Sequence, residues 1–258
     1  MKRVLKILAA LLGAALAVVL AFGVVVFVSF SGLAPIQDGQ TLPGVQVVKD
    51  GIVACYLVDL GSDREVALVD ACNDKSGAAV LAALGKRGLG ADAVKAILLT
   101  HGDKDHTGGV LAFPRAAVLA LAADVPLAEG RELRMLQWLF SPKDTGVRVG
   151  RALADGEAVD VQGVSFRVFA VPGHTRGSAA FLARGVLFLG DSAETAADGA
   201  LAPAKRLTSD DLAQNRDSLA KLAQRLASLA GEVTAIAPAH SGVTQKGLAP
   251  LSEYAARK

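Results

Sequence analysis

One stretch restricts this chain more than any other: an apolar run of strand length that opens directly into a cluster of metal-ligand side chains. Val94–Thr100 reads as a buried strand, and the segment THGDKDHTGG, from Thr100 to Gly109, follows without a spacer. His101, Asp103, Asp105 and His106 fall within six positions of it. Imidazole and carboxylate hold borderline and hard divalent cations, and their alternation along a tight turn lets them converge from one side. A sheet whose strand ends carry ligands gathers its chemistry at one edge.

The other two histidines repeat the pattern. His174 in VPGHTRGS and His240 in APAHSG each follow a β-like run directly, and Asp191 in LFLGDSAE is a third strand-end residue of ligand type. A lone histidine is more often a structural side chain than a ligand. Four out of four at strand ends, accompanied by three aspartates, is a poor match to chance and predicts a metal site.

Around these residues the chain alternates strands and helices. Short β-branched segments occupy Val45–Val48, Ile52–Leu60 and Val66–Val69, and a helical segment follows from Ser76 to Lys86, ended by Gly88 and Gly90. A second set of strands is expected at Ala158–Val161, Ser165–Val171, Ala179–Leu182, Val186–Leu189 and Val233–Ala237. A helix from about Ser209 to Leu229 precedes the last of these. Thr208 or Ser209 suits its cap, and Asp210 and Asp211 suit the positive helix N-terminus. This is an α/β pattern.

With 258 residues, 52% of them hydrophobic, the chain suffices for one sizeable core behind a leader. Ile7–Phe30 carries no charge and is long enough to cross a bilayer. Lys2, Arg3 and Lys6 precede it, which favours a cytoplasmic N-terminus and a domain on the extracytoplasmic side. Two fates are open: an uncleaved anchor, or a signal peptide cut after Gly32-Leu-Ala34. The expected division is therefore 1–34 as membrane segment, 35–44 as a Gly- and Pro-containing linker, and 45–258 as the domain.

The net charge of +2 reflects 27 Lys+Arg against 25 Asp+Glu, and without the three leader cations the balance is −1. No basic excess remains to hold nucleic acid. Cys55 and Cys72, the only cysteines, lie on neighbouring β-like runs. With Leu60 opposite Ala67 an antiparallel register sets them face to face, as a cross-strand disulfide or as two buried thiols.

The pattern of His101, Asp103, Asp105 and His106, followed by His174, Asp191 and His240, resembles the metallo-β-lactamase superfamily. That family's motifs are HxHxDH, a later His after a strand, an Asp and a final His. The resemblance spans Val45 to Tyr254 and implies a four-layer αβ/βα sandwich with a pair of divalent ions at its open edge. It implies that His101, Asp103 and His174 hold the first ion, that Asp105, His106 and His240 hold the second, and that Asp191 bridges them. Position 103 departs from the family by carrying Asp in place of His. Zinc is the expected metal of both sites, and a carboxylate makes the first harder and more anionic, which moves it toward iron or manganese without excluding zinc. Alternatively, Asp103 accepts hydrogen bonds only and a single metal binds well.

The implied chemistry is hydrolysis by a metal-bound hydroxide, with Asp105 orienting it and taking a proton. Asp191 at the bridging position resembles the glyoxalase II and lactonase branches, and no cysteine stands near it as in the zinc β-lactamases. Between Asp191 and His240 there is no room for the clamping insertion of nuclease branches. The expectation is a membrane-anchored hydrolase of a small ester, thioester or lactone. The alternatives are a di-iron redox protein, whose additional flavin domain is not in these residues, and a metal-binding module in which Asp103 marks decay. Glu129–Lys143, with Leu133, Met135, Leu136, Trp138, Leu139 and Phe140, is either a lid beside the entrance or ordinary core. Arg176 and Lys104 flank the ligand motifs and are either anion-binding residues or solvated surface charge.

Overall fold

A computed structural model describes residues 2–62, 64–134 and 139–257. The chain divides into two compact units, Met1–Leu33 and Ala34–Lys258. The first is a helix, α1 (Lys2–Phe30), rich in Ala and Leu and free of proline. Its Leu11–Phe30 segment has a mean hydropathy of 2.9. At about 1.5 Å per residue this segment reaches roughly 30 Å, so its length and composition suffice to cross a bilayer.

The second unit begins with a seven-stranded sheet. Its strands are β1 (Thr41–Leu42), β2 (Val45–Asp50), β3 (Val53–Asp59), β4 (Val66–Val69), β5 (Val94–Leu99), β6 (Ala117–Leu121) and β7 (Arg151–Leu153), and they lie side by side in chain order. The first four pair antiparallel and β4 to β7 pair parallel. The crossover from β4 to β5 carries α2 (Ala78–Lys86). Short helices α3 (Lys104–Thr107) and α4 (Val125–Ala128) follow β5 and β6.

The second sheet is built from β8 (Ala158–Val161), β9 (Val164–Ala170), β10 (Ala179–Ala183) and β11 (Val186–Gly190), an antiparallel meander. A hairpin, β12 (Ala193–Thr195) and β13 (Leu201–Pro203), and a helix, α5 (Leu212–Leu226), separate it from β14 (Ala235–Pro238). Strand β14 pairs parallel to β11, and α6 (Ala249–Ala256) closes the unit.

Strand β3 shows how the layers arise. Alternate side chains point to opposite faces of a sheet. Ala54, Tyr56 and Val58 therefore join Phe166, Phe181 and Phe188 in a core between the two sheets. Val53, Cys55 and Leu57 face the other way and pack with Val80 and Leu84 of α2. Across the second sheet Leu182, Leu187 and Leu189 meet Leu219, Leu222 and Leu226 of α5 and Leu251 of α6. The order is helix, sheet, sheet, helix.

Three local differences from the sequence reading have physical causes. Strands β3 and β4 pair with Val58, not Leu60, opposite Ala67, because Leu60 N donates to Glu65 O (3.0 Å) and closes the turn there. The chain then bends through Asp70 and Cys72, at φ of 58° and 57°, which returns Cys72 to Cys55 in a disulfide with a Cα–Cα distance of 5.4 Å. Helix α5 starts later than Ser209, because Asp211 is the residue whose carboxylate accepts from the Gln214 N–H (2.9 Å). Residues 35–44, read as a linker, are bonded into this unit: Gly242 N donates to Ala34 O (2.8 Å) and Gly39 N to Val47 O (3.0 Å), with Ile36 packed on the central core.

Candidate metal centre

The seven ligand-type residues meet at one edge of the sandwich, each placed by the end of a strand or the turn after it. His101 follows β5, and Asp103, Asp105 and His106 sit on the turn into and through α3. His174 lies in the turn after β9, Asp191 follows β11 and His240 follows β14. Two glycines permit the convergence. Gly190 has φ of +52°, and a Cβ there would overlap the Thr100 side chain, so strand β11 can approach the end of β5 only with glycine. A Cβ on Gly108 would overlap the Asn73 carbonyl, which lets α3 press against the 70–74 turn.

Three overlapping groups result: His101, Asp103 and His174; His101, His106 and Asp191; and Asp105, His106 and His240, with the ligand atoms of each group within 4.8 Å of one another. Asp103 Oδ2 stands 3.5 Å from His101 Nε2 and 3.4 Å from His174 Nε2. Asp105 Oδ2 stands 3.1 Å from His240 Nε2. Between them Asp191 reaches His106 Nε2 with Oδ1 (3.2 Å), and His240 and His174 with Oδ2 (3.3 and 3.7 Å).

Every histidine turns the same nitrogen inward. His240 Nδ1 donates to Ile52 O (2.8 Å) and His106 Nδ1 to Asp70 Oδ2 (2.8 Å). The Thr100 hydroxyl spends its proton on Asp70 (2.7 Å), so its oxygen accepts from His101 Nδ1 at 3.1 Å. Ser209 likewise donates to Lys205 O (2.8 Å) and accepts from His174 Nδ1 (3.1 Å). With Nδ1 protonated in all four rings, each Nε2 is left to bind a cation. His101 Nε2, His106 Nε2 and Asp191 Oδ1 are buried with no hydrogen-bond partner, which a bound divalent ion would supply. The residues fit the metal pair.

The charges agree with that reading. Burial opposes ionisation of Asp191, yet the imidazoles of His240, His106 and His174 hold its carboxyl well below the usual range. Burial works against the Asp103 carboxylate too, and His101, His174 and Arg134 together hold it low. Burial also opposes protonation of His240 and His106. Asp191 and Asp105 nevertheless push His240 up to about 10, and Asp70 and Asp191 push His106 well above its ordinary value. His174, where burial prevails, is lowered.

Four supporting groups had no motif to announce them. Asp70 holds Thr100 through its N–H and hydroxyl (both 2.7 Å) as well as His106. Asp124 accepts from Gly102 N (2.8 Å), Thr175 Oγ1 (2.9 Å) and Gly177 N (2.8 Å), clipping the His101 turn to the His174 turn. Glu194 and Lys205 form a buried ion pair near Asp191 and His240. Arg134 reaches the site from Glu129–Lys143, the segment read as either lid or core: its Nη1 contacts Asp103 Oδ2 and lies 3.3 Å from His174 Nε2. A cavity of about 490 Å³ adjoins it, lined by Leu133, Phe140, Pro142, Arg131 and Arg176 among others. Arg176 pairs with Glu132, and Lys104 is exposed. Leu139 and Phe140 are exposed rather than core, while Met135, Leu136 and Trp138 lie outside the described residues.

Comparison with known proteins gives a consistent picture. The family model of the metallo-β-lactamase superfamily matches residues 48–240. A hydroxyacylglutathione hydrolase of Aeromonas salmonicida (strain A449) is 37% identical over 130 residues, covering 50% of this chain and 42% of that protein. The chain thus spans less than half the length of this curated relative. A crystal structure of a metallo-β-lactamase family protein from Thermus thermophilus aligns with a TM-score of 0.57 and 27% identity, covering 83% of this chain and 77% of the other. A subclass B3 metallo-β-lactamase described as having an active-site glutamic acid aligns with a TM-score of 0.64 at 20% identity, covering 89% and 90%.

Proposed function

The chain belongs to the metallo-β-lactamase superfamily, and on that premise we propose that it is a membrane-anchored, dinuclear metal-dependent hydrolase of small thioesters, with esters and lactones as related substrates. The observation that carries the reading is the set of seven converging ligand-type side chains in which His101 Nε2, His106 Nε2 and Asp191 Oδ1 are buried without a hydrogen bond.

His101, Asp103 and His174 would hold one ion, Asp105, His106 and His240 the other, and Asp191 would bridge. Zinc is the expected pair, with iron or manganese admissible where Asp103 contributes. When bound, such a pair would lower the pKa of a coordinated water to about 7 and polarise a carbonyl oxygen. The chain supplies the rest. Asp105, its side chain 36% exposed and the most open of the carboxylates, faces solvent while its Oδ2 stays on His240, so it can orient a water and accept its proton. The turns fixed by Asp70 and Asp124 keep the imidazoles in place without reorganisation during the reaction.

A thioester is placed first because the Aeromonas relative is named for hydroxyacylglutathione, an acyl group carried on a thiol. Anchoring rests on α1, with Lys2, Arg3 and Lys6 ahead of its uncharged stretch. The Cys55–Cys72 disulfide suits an oxidising, extracytoplasmic compartment.

Full-length protein purified in detergent should contain about two metal equivalents and should hydrolyse S-acyl glutathione faster than matched esters and lactones. His106→Ala should lower turnover at least 100-fold. Less than one metal equivalent, together with unchanged turnover in His106→Ala, would refute the reading.

A further inference from the structure

The two metal positions differ in what already occupies their ligand atoms. In the group of Asp105, His106 and His240, the inward nitrogens face carboxylates of the site itself, His240 Nε2 at 3.1 Å from Asp105 Oδ2 and His106 Nε2 at 3.2 Å from Asp191 Oδ1. In the group of His101, Asp103 and His174, a guanidinium stands among the ligands. Arg134 Nη1 contacts Asp103 Oδ2, and at 3.3 Å it donates into His174 Nε2, whose lone pair faces inward because Nδ1 is bonded to Ser209. The arginine is held from behind as well, by Nε to Asp210 Oδ1 (3.1 Å) and by Nη2 to the Thr208 carbonyl. Only 10% of its side chain is exposed.

Resting on the proposed metal centre, we infer that Arg134 is a built-in competitor for the first metal position. Its guanidinium neutralises Asp103 and uses the same two ligand atoms that an ion held by His101, Asp103 and His174 would need, so that position binds metal more weakly than the second. A guanidinium is always charged, donates in a fixed fork and is weakly hydrated, so it holds a partly buried carboxylate well. Metal cannot take the Asp103 oxygen and the His174 lone pair until those donors leave. The departure from the family motif then has a partner: the carboxylate at position 103 lies against an arginine, which a histidine would not attract. Arg134 also lines the cavity beside Leu133, Phe140 and Pro142.

The test is titration of the metal-stripped full-length protein with zinc ion alone, followed by calorimetry. Wild type should show one strong binding event and a second at least tenfold weaker. Arg134→Ala should strengthen the weak event at least tenfold and leave the strong one in place, which also reports an intact fold. Should Arg134→Ala lose the strong event, Arg134→Gln is judged by the same criterion, because it can keep a hydrogen bond to Thr208 while dropping the charge. Arg134→Lys should stay near wild type. Two equal events in wild type, or a weak event that the uncharged variant leaves unchanged or weakens, would overturn this inference alone. No uptake of zinc by wild type would overturn the metal centre itself.

Discussion

His106 Nδ1 lies 2.8 Å from Asp70 Oδ2, a contact between two fully buried side chains that spans 36 residues of sequence. Asp70 does three things at once, since it also accepts from the N–H and hydroxyl of Thr100, the residue just before His101. The rings of His101 and His106 are thereby oriented through one carboxylate that lies outside the three ligand-type groups.

Removing that carboxylate should cost metal rather than fold alone. Groups that orient a ligating histidine contribute about 10–100-fold to metal affinity. Asp70→Ala is expected to lose zinc affinity by a factor in that range, whereas Asp70→Asn, which can still accept from Thr100, should lose less. Equilibrium dialysis against a competing chelator checks both. Equal losses in the two variants would show that the charge on Asp70 is irrelevant to His106.

Without metal, the site should make stability depend on pH in a direction opposite to that of the loaded protein. Against the cost of burial, Asp191 and Asp105 push His240 up to about 10, while its unfolded value is near 6.5. A group whose folded pKa is raised stabilises fully below the unfolded value and loses that contribution as pH rises through the folded one. Chelator-treated protein should therefore melt at progressively lower temperature from about pH 6.5 to pH 10. Zinc competes with those same protons, so uptake at neutral pH should release protons and its affinity should rise with pH. Calorimetry in buffers of different ionisation enthalpy measures the release, and a zero count would contradict the assignment of charged His240 and His106.

Why some of this was readable and some not follows from where each signal lies. His101, Asp103, Asp105 and His106 share one turn, and His174, Asp191 and His240 each end an apolar run, so local sequence carries them. Strand β3 was equally plain, because it is buried on both faces and reads as a continuous apolar segment. Strand β6 is not legible in the sequence: Ala-Val-Leu-Ala-Leu has the composition of a helix, and its parallel pairing with β5 and β7 makes it a strand. Asp70, Asp124 and Arg134 act across 22 to 76 residues of sequence, on partners that no spacing rule connects. Ser209, a good cap by type, serves His174 and leaves the capping to Asp211.

Asp124→Ala should separate the two metal positions. It strips the acceptor from the buried N–H groups of Gly102 and Gly177, at about 1–3 kcal/mol for each. These glycines neighbour His101 and His174, whereas His240 is held independently by the Ile52 carbonyl. The expected result is a destabilised domain in which zinc affinity falls more for the weaker event than for the stronger one. Chemical denaturation and zinc titration of the same variant give both numbers, and equal weakening of the two events would count against Asp124 as a clip between those turns.

The disulfide should matter for stability more than for turnover. Cys55 and Cys72 are 17 residues apart, and closing a loop of that length stabilises by about 3 kcal/mol in the chain-entropy account. For a domain of this size that corresponds to a fall of about 6–12 °C in melting temperature for the Cys55→Ala, Cys72→Ala variant. The cross-link also sits behind the metal turn, since Ala71 N donates to His106 O (2.7 Å) and Gly109 N to Ala71 O (3.2 Å). Those bonds remain without the sulfurs, so turnover of the folded variant below its melting point should stay within a few-fold of wild type.

Glu194 and Lys205 offer the sharpest stability test. Glu194 is buried and its Oε2 has no hydrogen-bond partner, so Lys205 is the charge that compensates it. Burial raises the Glu194 pKa, and the nearby Asp191 charge raises it further while Lys205 opposes both. Breaking a buried pair by removing one partner costs about 3–5 kcal/mol, whereas replacing both is often close to neutral. Lys205→Met should therefore be strongly destabilised at pH 7, and the double variant Glu194→Gln, Lys205→Met should recover most of the loss. The pH profile fixes the cause. In Lys205→Met the folded pKa of Glu194 lies still further above its unfolded value, so protonation favours the fold and the deficit should shrink as pH falls from 7 toward 5. A deficit that stays constant with pH, or a double variant no better than the single one, would place the damage in lost packing around the lysine stem instead of in an uncompensated charge.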